Sequence, residues 1–222
     1  MRGQLVSLGI EKMNPERPVE TLGECAEVLV GLTLSRRAIP DGKGYPILSV
    51  GDVAPDGEVT PTASLPTRPL QLVPGDERYL ARAGDILISA RGTQLKTGWA
   101  RKENRGAVVS STLIIVRASP TIDASILFAT LMSQHGQGQL QSRARHSTST
   151  LVLNVQDVAT IEIPIPPVEA QRQIRKLITL GESHYRVVMR AASQRRDLAH
   201  ALAQGLLFGE VVVPGNSAGT DR

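Results

Sequence analysis

The amino-acid sequence predicts an α+β fold, in which one domain of mixed strands and short helices is followed by a long projecting coiled-coil α-helix. Two observations predict this fold class. Short runs rich in Val and Ile, bounded by Gly, Pro and Asp, recur as far as Pro167 and are typical of strands. A proline-free stretch of about forty residues then follows, and its apolar residues have helical spacing.

Composition limits the kinds of protein that this chain can be. Its 222 residues suffice for one domain with an appendage, and 41% hydrophobic residues suffice for a packed core. Aromatic residues make up only 3%, which argues against single-strand binding because that relies on aromatic stacking platforms. The net charge of +4 points modestly to an anionic partner. The single cysteine, Cys25, excludes an internal disulfide and is expected to be a small core thiol.

The domain is predicted over residues 18–166, after a loose N-terminal arm of residues 1–17. Asp123 is the expected N-cap of a helix over Ala124–His135, which Gly136 would end, and a second short helix is expected around Gln139–Arg145. The proline-rich segment Pro55–Pro74 is expected to form irregular connections. The expected strands are Tyr45–Val50, Gly84–Ala90, Val108–Arg117 and Thr160–Ile165.

The long helix is predicted over residues 167–210, before a disordered tail of residues 211–222. Apolar or small residues alternate at spacings of four and three, as in a coiled-coil seam, and Arg195 interrupts them once. A helix of about forty residues is roughly 60 Å long, too long to wrap around this domain. We expect it to project and to bind a partner, because an isolated amphipathic helix is poorly stable in water. The residues expected to bind that partner are Ile174, Ile178, Tyr185, Val188, Leu202 and Leu206.

Polar and basic side chains concentrate in three loops, and such side chains read base edges or bind phosphates. For each loop, the alternative is a solvated basic surface. Trp99, within the first loop, is expected to be a structural plug. The first loop contributes Arg91, Thr93, Gln94, Lys96, Arg101, Lys102, Asn104 and Arg105; the second contributes Gln137, Gln139, Gln141, Arg143, Arg145, His146 and Ser147; the third contributes Arg36, Arg37 and Lys43.

Catalytic motifs are lacking in the sequence. It contains no Walker-type loop, no His-Glu-x-x-His and no Asn-Pro-Pro-aromatic segment. Its four histidines are scattered, so we expect neither a metal site nor an enzyme. No stretch has the length of a membrane span or the apolar core of a signal peptide, and we expect a cytoplasmic protein.

Three segments, in this order, resemble the specificity (S) subunits of type I restriction–modification systems. The first is Leu22–Val28 with Gly31-Leu32-Thr33, which resembles the opening of a target-recognition domain. The second is Ala83–Ser89 with Arg91-Gly92-Thr93, followed by Val109–Leu113. The third is Ser147–Thr150 with Ile161–Gln171, which is similar to the junction between a recognition domain and its helix. The resemblance as a whole covers nearly all of residues 20–210.

The resemblance implies a half-length S subunit, because family members usually carry two recognition domains and two helices. Such a chain would be a non-catalytic DNA-binding dimer with antiparallel helices, acting on a bipartite site. Its partners would be double-stranded DNA, a DNA adenine methyltransferase subunit and a restriction translocase subunit. S-adenosylmethionine would belong to the methyltransferase, so no cofactor is expected in this chain.

Two alternatives remain open at this point. One is the recognition module of another methylation-linked phage-defence system. The other is a non-DNA coiled-coil scaffold protein whose basic loops only confer solubility; salt-dependent duplex binding would separate it from a DNA reader. A hydrolase or nuclease is disfavoured, because the sequence assembles no acid or metal cluster.

Overall fold

The computed structural model describes residues 18–147 and 150–208, without the side chains of His146 and Ser147. The predicted arm, the predicted tail and the last residues of the predicted helix, 209 and 210, lie outside the described residues. The helices are α1 (Leu22–Cys25), α2 (Ala124–Met132), α3 (Gln134–Arg143), α4 (Val155–Ala159) and α5 (Val168–Leu207). The strands are β1 (Val19–Thr21), β2 (Ala26–Val30), β3 (Ala38–Leu48), β4 (Thr67–Leu70), β5 (Ile86–Ser89), β6 (Arg91–Gly92), β7 (Thr97–Trp99), β8 (Val108–Val109), β9 (Leu113–Ala118), β10 (Arg145–Ser147), β11 (Thr150–Val152) and β12 (Glu162–Pro164).

The main core surrounds an antiparallel sheet with the strand order β2-β9-β5-β7. Its two central strands, β5 and β9, are near-continuous apolar runs, and Ile86–Ile88 and Leu113–Val116 are wholly buried. Such a run is expected of a strand that is covered on both faces. Helix α2 packs on this sheet through Leu127 and Leu131, which are fully buried.

A second sheet, with the order β4-β3-β8, encloses a smaller apolar cluster of Leu32, Ile47, Leu70 and Val108. Strand β3 pairs with β4 in the antiparallel sense and with β8 in the parallel sense. Close backbone contact joins this region to the main sheet at Gly31, where an added Cβ would meet the carbonyl of Ser110. Strand β4 lies within the segment Pro55–Pro74, which was expected to be irregular; its Pro69 is tolerated because β4 is an edge strand.

A buried ion pair joins two strands of the main sheet. The Arg117 guanidinium donates to both carboxylate oxygens of Asp85, over 2.9 Å from Nε and 2.8 Å from Nη2. The Asp85 side chain is 1% exposed. Bidentate pairing of this kind compensates for taking the carboxylate out of water.

The predicted end of helix α2 and the predicted role of Gly136 are both wrong. The helix expected over Ala124–His135 ends at Met132, because Ser133 is extended and caps a new helix by accepting a hydrogen bond from Gly136 N–H. Gly136 therefore lies in the first turn of α3 and does not end α2; an added Cβ there would meet the Thr130 carbonyl.

Cys25 is buried as expected, and burial raises the pKa of its thiol to about 11.

Helix α5 begins with its first turns tied to the domain. Gln171, 7% exposed, accepts from Asp123 N–H at 2.9 Å and donates to Pro166 O at 3.0 Å. Arg175 pairs with the Asp123 carboxylate at 3.2 Å. The chain divides into two compact units between Arg175 and Lys176, and the rest of α5 belongs to the second unit. The mixed sheets and long C-terminal helix agree with the predicted fold class.

Candidate nucleic-acid interface

A three-stranded sheet, β10-β11-β6, unites the first two polar loops. Strand β6 lies at the tip of the β5–β7 hairpin and carries Arg91, whereas β10 and β11 form a hairpin more than fifty residues later in the chain. Both pairings in this sheet are antiparallel. Residues that are far apart in the sequence therefore share one small surface, which we call the tip sheet.

One row across the tip sheet consists of Arg145, Val152 and Arg91, because Val152 is the direct partner of both arginines. Direct partners have their side chains on the same face. Two interstrand spacings set the arginine Cα atoms about 10 Å apart. Both arginines are exposed; the Arg145 side chain is 74% exposed and lies 3.9 Å from the Asp157 carboxylate.

The hairpin tip is held firmly beneath this row. Ser89 N–H donates to Lys96 O at 2.9 Å, and Lys96 N–H donates to the Ser89 hydroxyl at 2.9 Å, which closes the loop. Ala90 N–H donates to Thr112 O, and Ala90 O accepts from Leu153 N–H. The cations thus stand on a backbone that is hydrogen-bonded to the main sheet and to the segment after β11.

Among the other residues predicted at the tip, Thr93 and Gln94 form an exposed bend. Lys96 is half-buried, and its ammonium donates to Val50 O at 3.3 Å. Gln141 is exposed on α3. The backbones of His146 and Ser147 belong to β10, and their side chains lie outside the described residues.

The first loop does not act as one surface, because β7 separates its two halves. Arg101–Arg105 lie near the start of β5, because Ala100 exchanges backbone hydrogen bonds with Gly84 and Asp85. Arg91 lies beyond the other end of β5, after Ser89. Five residues of strand separate these two positions by roughly 15 Å. Lys102 and Arg105 are exposed at the end of β7 that lies away from the tip sheet.

Several predicted contact residues instead serve the fold. Asn104 is 2% exposed; its amide donates to Thr60 O at 2.8 Å, and its carbonyl accepts from Arg101 N–H at 2.8 Å. The structure therefore does not present Asn104 to DNA, because its side chain is buried and binds backbone groups of the domain. The Arg101 guanidinium lies 4.6 Å from the centre of the Trp99 ring, which itself packs on Phe128.

The second loop also contains internal braces. Arg143 donates to the hydroxyl and carbonyl oxygens of Thr160, each at 3.0 Å, and thereby joins α3 to the segment after α4. Gln139 exchanges hydrogen bonds with the backbone of Glu162, and Gln137 donates to Leu131 O. Arg143 is thus committed to the fold through hydrogen bonds that DNA would have to replace.

The third loop divides in the same manner. Arg37 binds Asp76, with 2.7 Å between Nε and Oδ2, and this hydrogen bond holds the pKa of the Asp76 carboxyl below its usual range. Arg36 and Lys43 are exposed. The Lys43 ammonium lies 5.3 Å from the centre of the Tyr45 ring.

Helix α5 carries a second apolar seam beside the predicted one. Ile174 and Ile178 are half-buried, while Tyr185, Val188, Leu202 and Leu206 are 38–49% exposed. Four further apolar side chains of α5, not predicted from the sequence, are 60–69% exposed: Leu177, Leu180, Val187 and Leu198. These residues recur at heptad-compatible spacing, one position before the predicted seam, and so about 100° around the helix.

The described residues 18–147 and 150–208 contain no group of three or more His, Cys, Asp or Glu side chains that could hold a metal ion. Within the same part of the chain, no helix is long and apolar enough to cross a membrane.

Comparison with known proteins places these features in a family. The family model of the type I restriction modification DNA specificity domain matches residues 17–180. No curated protein sequence matches the chain.

Three solved structures share the fold. A chain of a type I R-M system, solved for its complex assembly and conformational transition, is 20% identical over 93% of this chain and 49% of that one, with a TM-score of 0.59. The HsdS subunit from Thermoanaerobacter tengcongensis is 21% identical over 95% and 53%, with a TM-score of 0.58. The type I S subunit from M. genitalium is 14% identical over 88% and 47%, with a TM-score of 0.56.

The chain spans about half the length of these solved proteins. The resemblance drawn from the three sequence segments is confirmed by the family model, which covers most of the domain and the start of α5. The chain belongs to the family of type I restriction modification DNA specificity domains, and it is a recognition module without catalytic function.

Proposed function

We propose that this protein is the sequence-specific, double-stranded DNA recognition subunit of a type I-like restriction–modification complex, and that it acts as a dimer on a bipartite site. The observation that carries the proposal is the exposed row of Arg145, Val152 and Arg91 on the tip sheet. Two segments distant in sequence converge to present these cations, on a domain whose family reads DNA.

The spacing of the two arginines suits the major groove of DNA. That groove is about 12 Å wide, and the Cα atoms of Arg91 and Arg145 lie about 10 Å apart, so both side chains can approach base edges in one groove. Arginine reads guanine through two parallel hydrogen bonds, and glutamine reads adenine similarly. We assign base reading to Arg91, Arg145 and the bend residue Gln94, and supporting contacts to Thr93, Gln141, His146 and Ser147.

The two seams of α5 support two kinds of helical partner. Burial of each apolar side chain contributes about 1.5–3 kcal/mol before ordering costs, and a single partner helix would leave one seam in water. We assign the seam of Leu202 and Leu206 to a second copy of this chain, and the seam of Leu180 and Val187 to an adenine methyltransferase subunit. S-adenosylmethionine would be bound by that subunit, and a restriction translocase could join the same cytoplasmic complex.

The DNA assignment is tested by Arg91→Ala, Arg145→Ala and the double variant, titrated onto the duplex that methylome sequencing of the host identifies. Each single variant should lose about 1–3 kcal/mol of specific binding if its arginine reads a base edge. Arg82→Ala, an exposed arginine at the opposite end of β5, is the control and should bind normally. Unchanged affinity of the double variant for both specific and unrelated duplexes would contradict the assignment.

The partner assignment is tested on the full-length chain with two charge-introducing variants. Leu202→Glu with Leu206→Glu should abolish self-association in light scattering, while leaving methyltransferase capture intact. Leu180→Glu with Val187→Glu should do the reverse. A wild-type protein that is monomeric at high concentration and also ignores the methyltransferase subunit would exclude both partnerships.

A further inference from the structure

We infer that the β3–β4 hairpin is a second DNA-contacting surface, at which Lys43 and Arg68 bind backbone phosphates outside the segment read by the tip sheet. This inference rests on the proposed function. Arg68 was not among the residues predicted from sequence, and the tip sheet does not include this hairpin.

The strand register brings the two cations together. Tyr45 is the direct partner of Arg68, and Lys43 is the partner of Leu70. Leu70 also pairs with Ala38, because the register of β3 shifts between Ala38 and Lys43. From Lys43 onward the pairing is regular, and residues two apart on a strand share a face, so Lys43, Tyr45 and Arg68 lie on one face of the strand pair and form one patch. Lys43 and Arg68 are diagonal neighbours in it, with Cα atoms about 7–8 Å apart.

The patch stands on a rigid apolar base. Leu70 is 1% exposed and belongs to the smaller core cluster, and the half-buried Tyr45 ring packs against the same cluster. The Lys43 ammonium lies 5.3 Å from the centre of that ring, within the range of a cation–π interaction. The Tyr45 ring thus holds the Lys43 ammonium at the edge of the apolar cluster, beside Arg68.

The charges of this patch are not neutralised within the part of the chain that the structure describes. Lys43 and Arg68 are exposed, and neither forms an ion pair with a described carboxylate. By contrast, the nearby Arg37 is held by Asp76, and Arg78 lies 3.6 Å from Glu27. Two adjacent cations repel each other, and a polyanion that contacts both relieves this repulsion and releases counterions.

The hairpin contributes affinity and little sequence selectivity, because phosphates carry no sequence information. Val50, just after β3, lies near the tip sheet, because its carbonyl oxygen accepts a hydrogen bond from the Lys96 ammonium. Tyr45 lies five residues before Val50, roughly 17 Å away along an extended strand. The hairpin and the tip sheet can therefore contact separate stretches of one duplex.

The test is the salt dependence of binding to a fluorescein-labelled duplex of arbitrary sequence, measured by anisotropy on the full-length chain. Neutralising two phosphate contacts should reduce the slope of log K against log salt by about 1.8 for each bound domain. When salt is raised from about 50 to about 200 mM, the affinity of Lys43→Ala with Arg68→Ala should then fall about 12-fold less than that of the wild type if one domain binds, and about 150-fold less if both domains of a dimer bind. The swap Lys43→Arg with Arg68→Lys retains both charges and should retain the slope.

The outcomes separate this inference from the proposed function. An unchanged slope in the double alanine variant, while wild-type duplex binding remains salt-dependent, would overturn the hairpin assignment alone. Absence of salt-dependent duplex binding in the wild type would overturn both. A double alanine variant that keeps its slope but loses discrimination between specific and unrelated duplexes would reassign the hairpin to base reading and refute the phosphate contact. Circular dichroism melting confirms that each variant is folded.

Discussion

Substitution of Gln171 by alanine is expected to loosen the start of the long helix. The side chain is 7% exposed and makes two short hydrogen bonds, one from Asp123 N–H and one to Pro166 O. Removing it leaves both backbone groups without these bonds, at about 1–3 kcal/mol for each unsatisfied buried group. Because Asp123 is only half-buried, water can reach it, and we expect a total loss of about 2–4 kcal/mol.

This loss is large against a typical domain stability of about 5–15 kcal/mol. Urea unfolding should detect it as a decrease in the midpoint by about 1–2 M, given a denaturant slope near 2 kcal/mol per M. Gln173→Ala is the matched control: it is exposed, lies two residues further along the helix, and should change stability by less than about 0.5 kcal/mol.

A third variant, Gln171→Glu, identifies the donor as the critical group. A carboxylate can still accept from Asp123 N–H but cannot donate to Pro166 O, so the variant should be destabilised at neutral pH and should regain stability relative to wild type below about pH 4, when the carboxyl is protonated. Equal urea midpoints for Gln171→Ala and Gln173→Ala would refute the reasoning.

Three further perturbations are expected to have defined effects. Arg117→Met should cost about 3–5 kcal/mol in urea unfolding, because it leaves the Asp85 carboxylate buried without its partner, and Asp85→Asn in the same chain should recover part of this loss. The Asp76 carboxyl, whose pKa its hydrogen bond from Arg37 lowers, should stabilise the fold above its unfolded-state pKa; this stabilisation should disappear as the pH falls below about 4, and Arg37→Gln should flatten the pH profile. Gly31→Ala should destabilise the domain by about 1–3 kcal/mol through a backbone clash, and an unchanged melting temperature would disprove the close approach.

Local patterns predicted the parts of this fold that local forces determine. The run that became β9 is apolar at consecutive positions and had to be buried. The Asp123 cap was correct because an N-cap acts within one turn, and Asp123 accepts from Ser125 N–H. The end of α2 was misplaced, because Ser133 and Gly136 could be read either as the end of one helix or as the start of another.

The candidate site was harder to predict, because it depends on long-range register. Nothing local to Arg91 indicates that β6 pairs with β11, and that pairing alone aligns Arg91 with Arg145. Nor does a sequence reveal which polar side chains form their hydrogen bonds within the domain. Asn104 and Arg143 looked like DNA donors, yet both are used to hold backbone groups of other segments.

The second seam of α5 is a different kind of omission. Leu177, Leu180, Val187 and Leu198 were visible in the sequence at coiled-coil spacing. The predicted seam alone accounts for one partner helix and leaves these four residues unexplained. A helix with apolar residues on two adjacent flanks signals more than one neighbour.

The pairing of β1 with β12 places the two ends of the recognition domain side by side, since Val19 faces Pro164 and Thr21 faces Glu162 across one antiparallel ladder. Entry and exit are thus about 5 Å apart. A domain with adjacent ends can be exchanged as a single unit, because a replacement domain with the same pairing of β1 and β12 would join the following helix in the same way. Exchange of the domain at these two short segments would therefore leave the sequence of α5 unchanged.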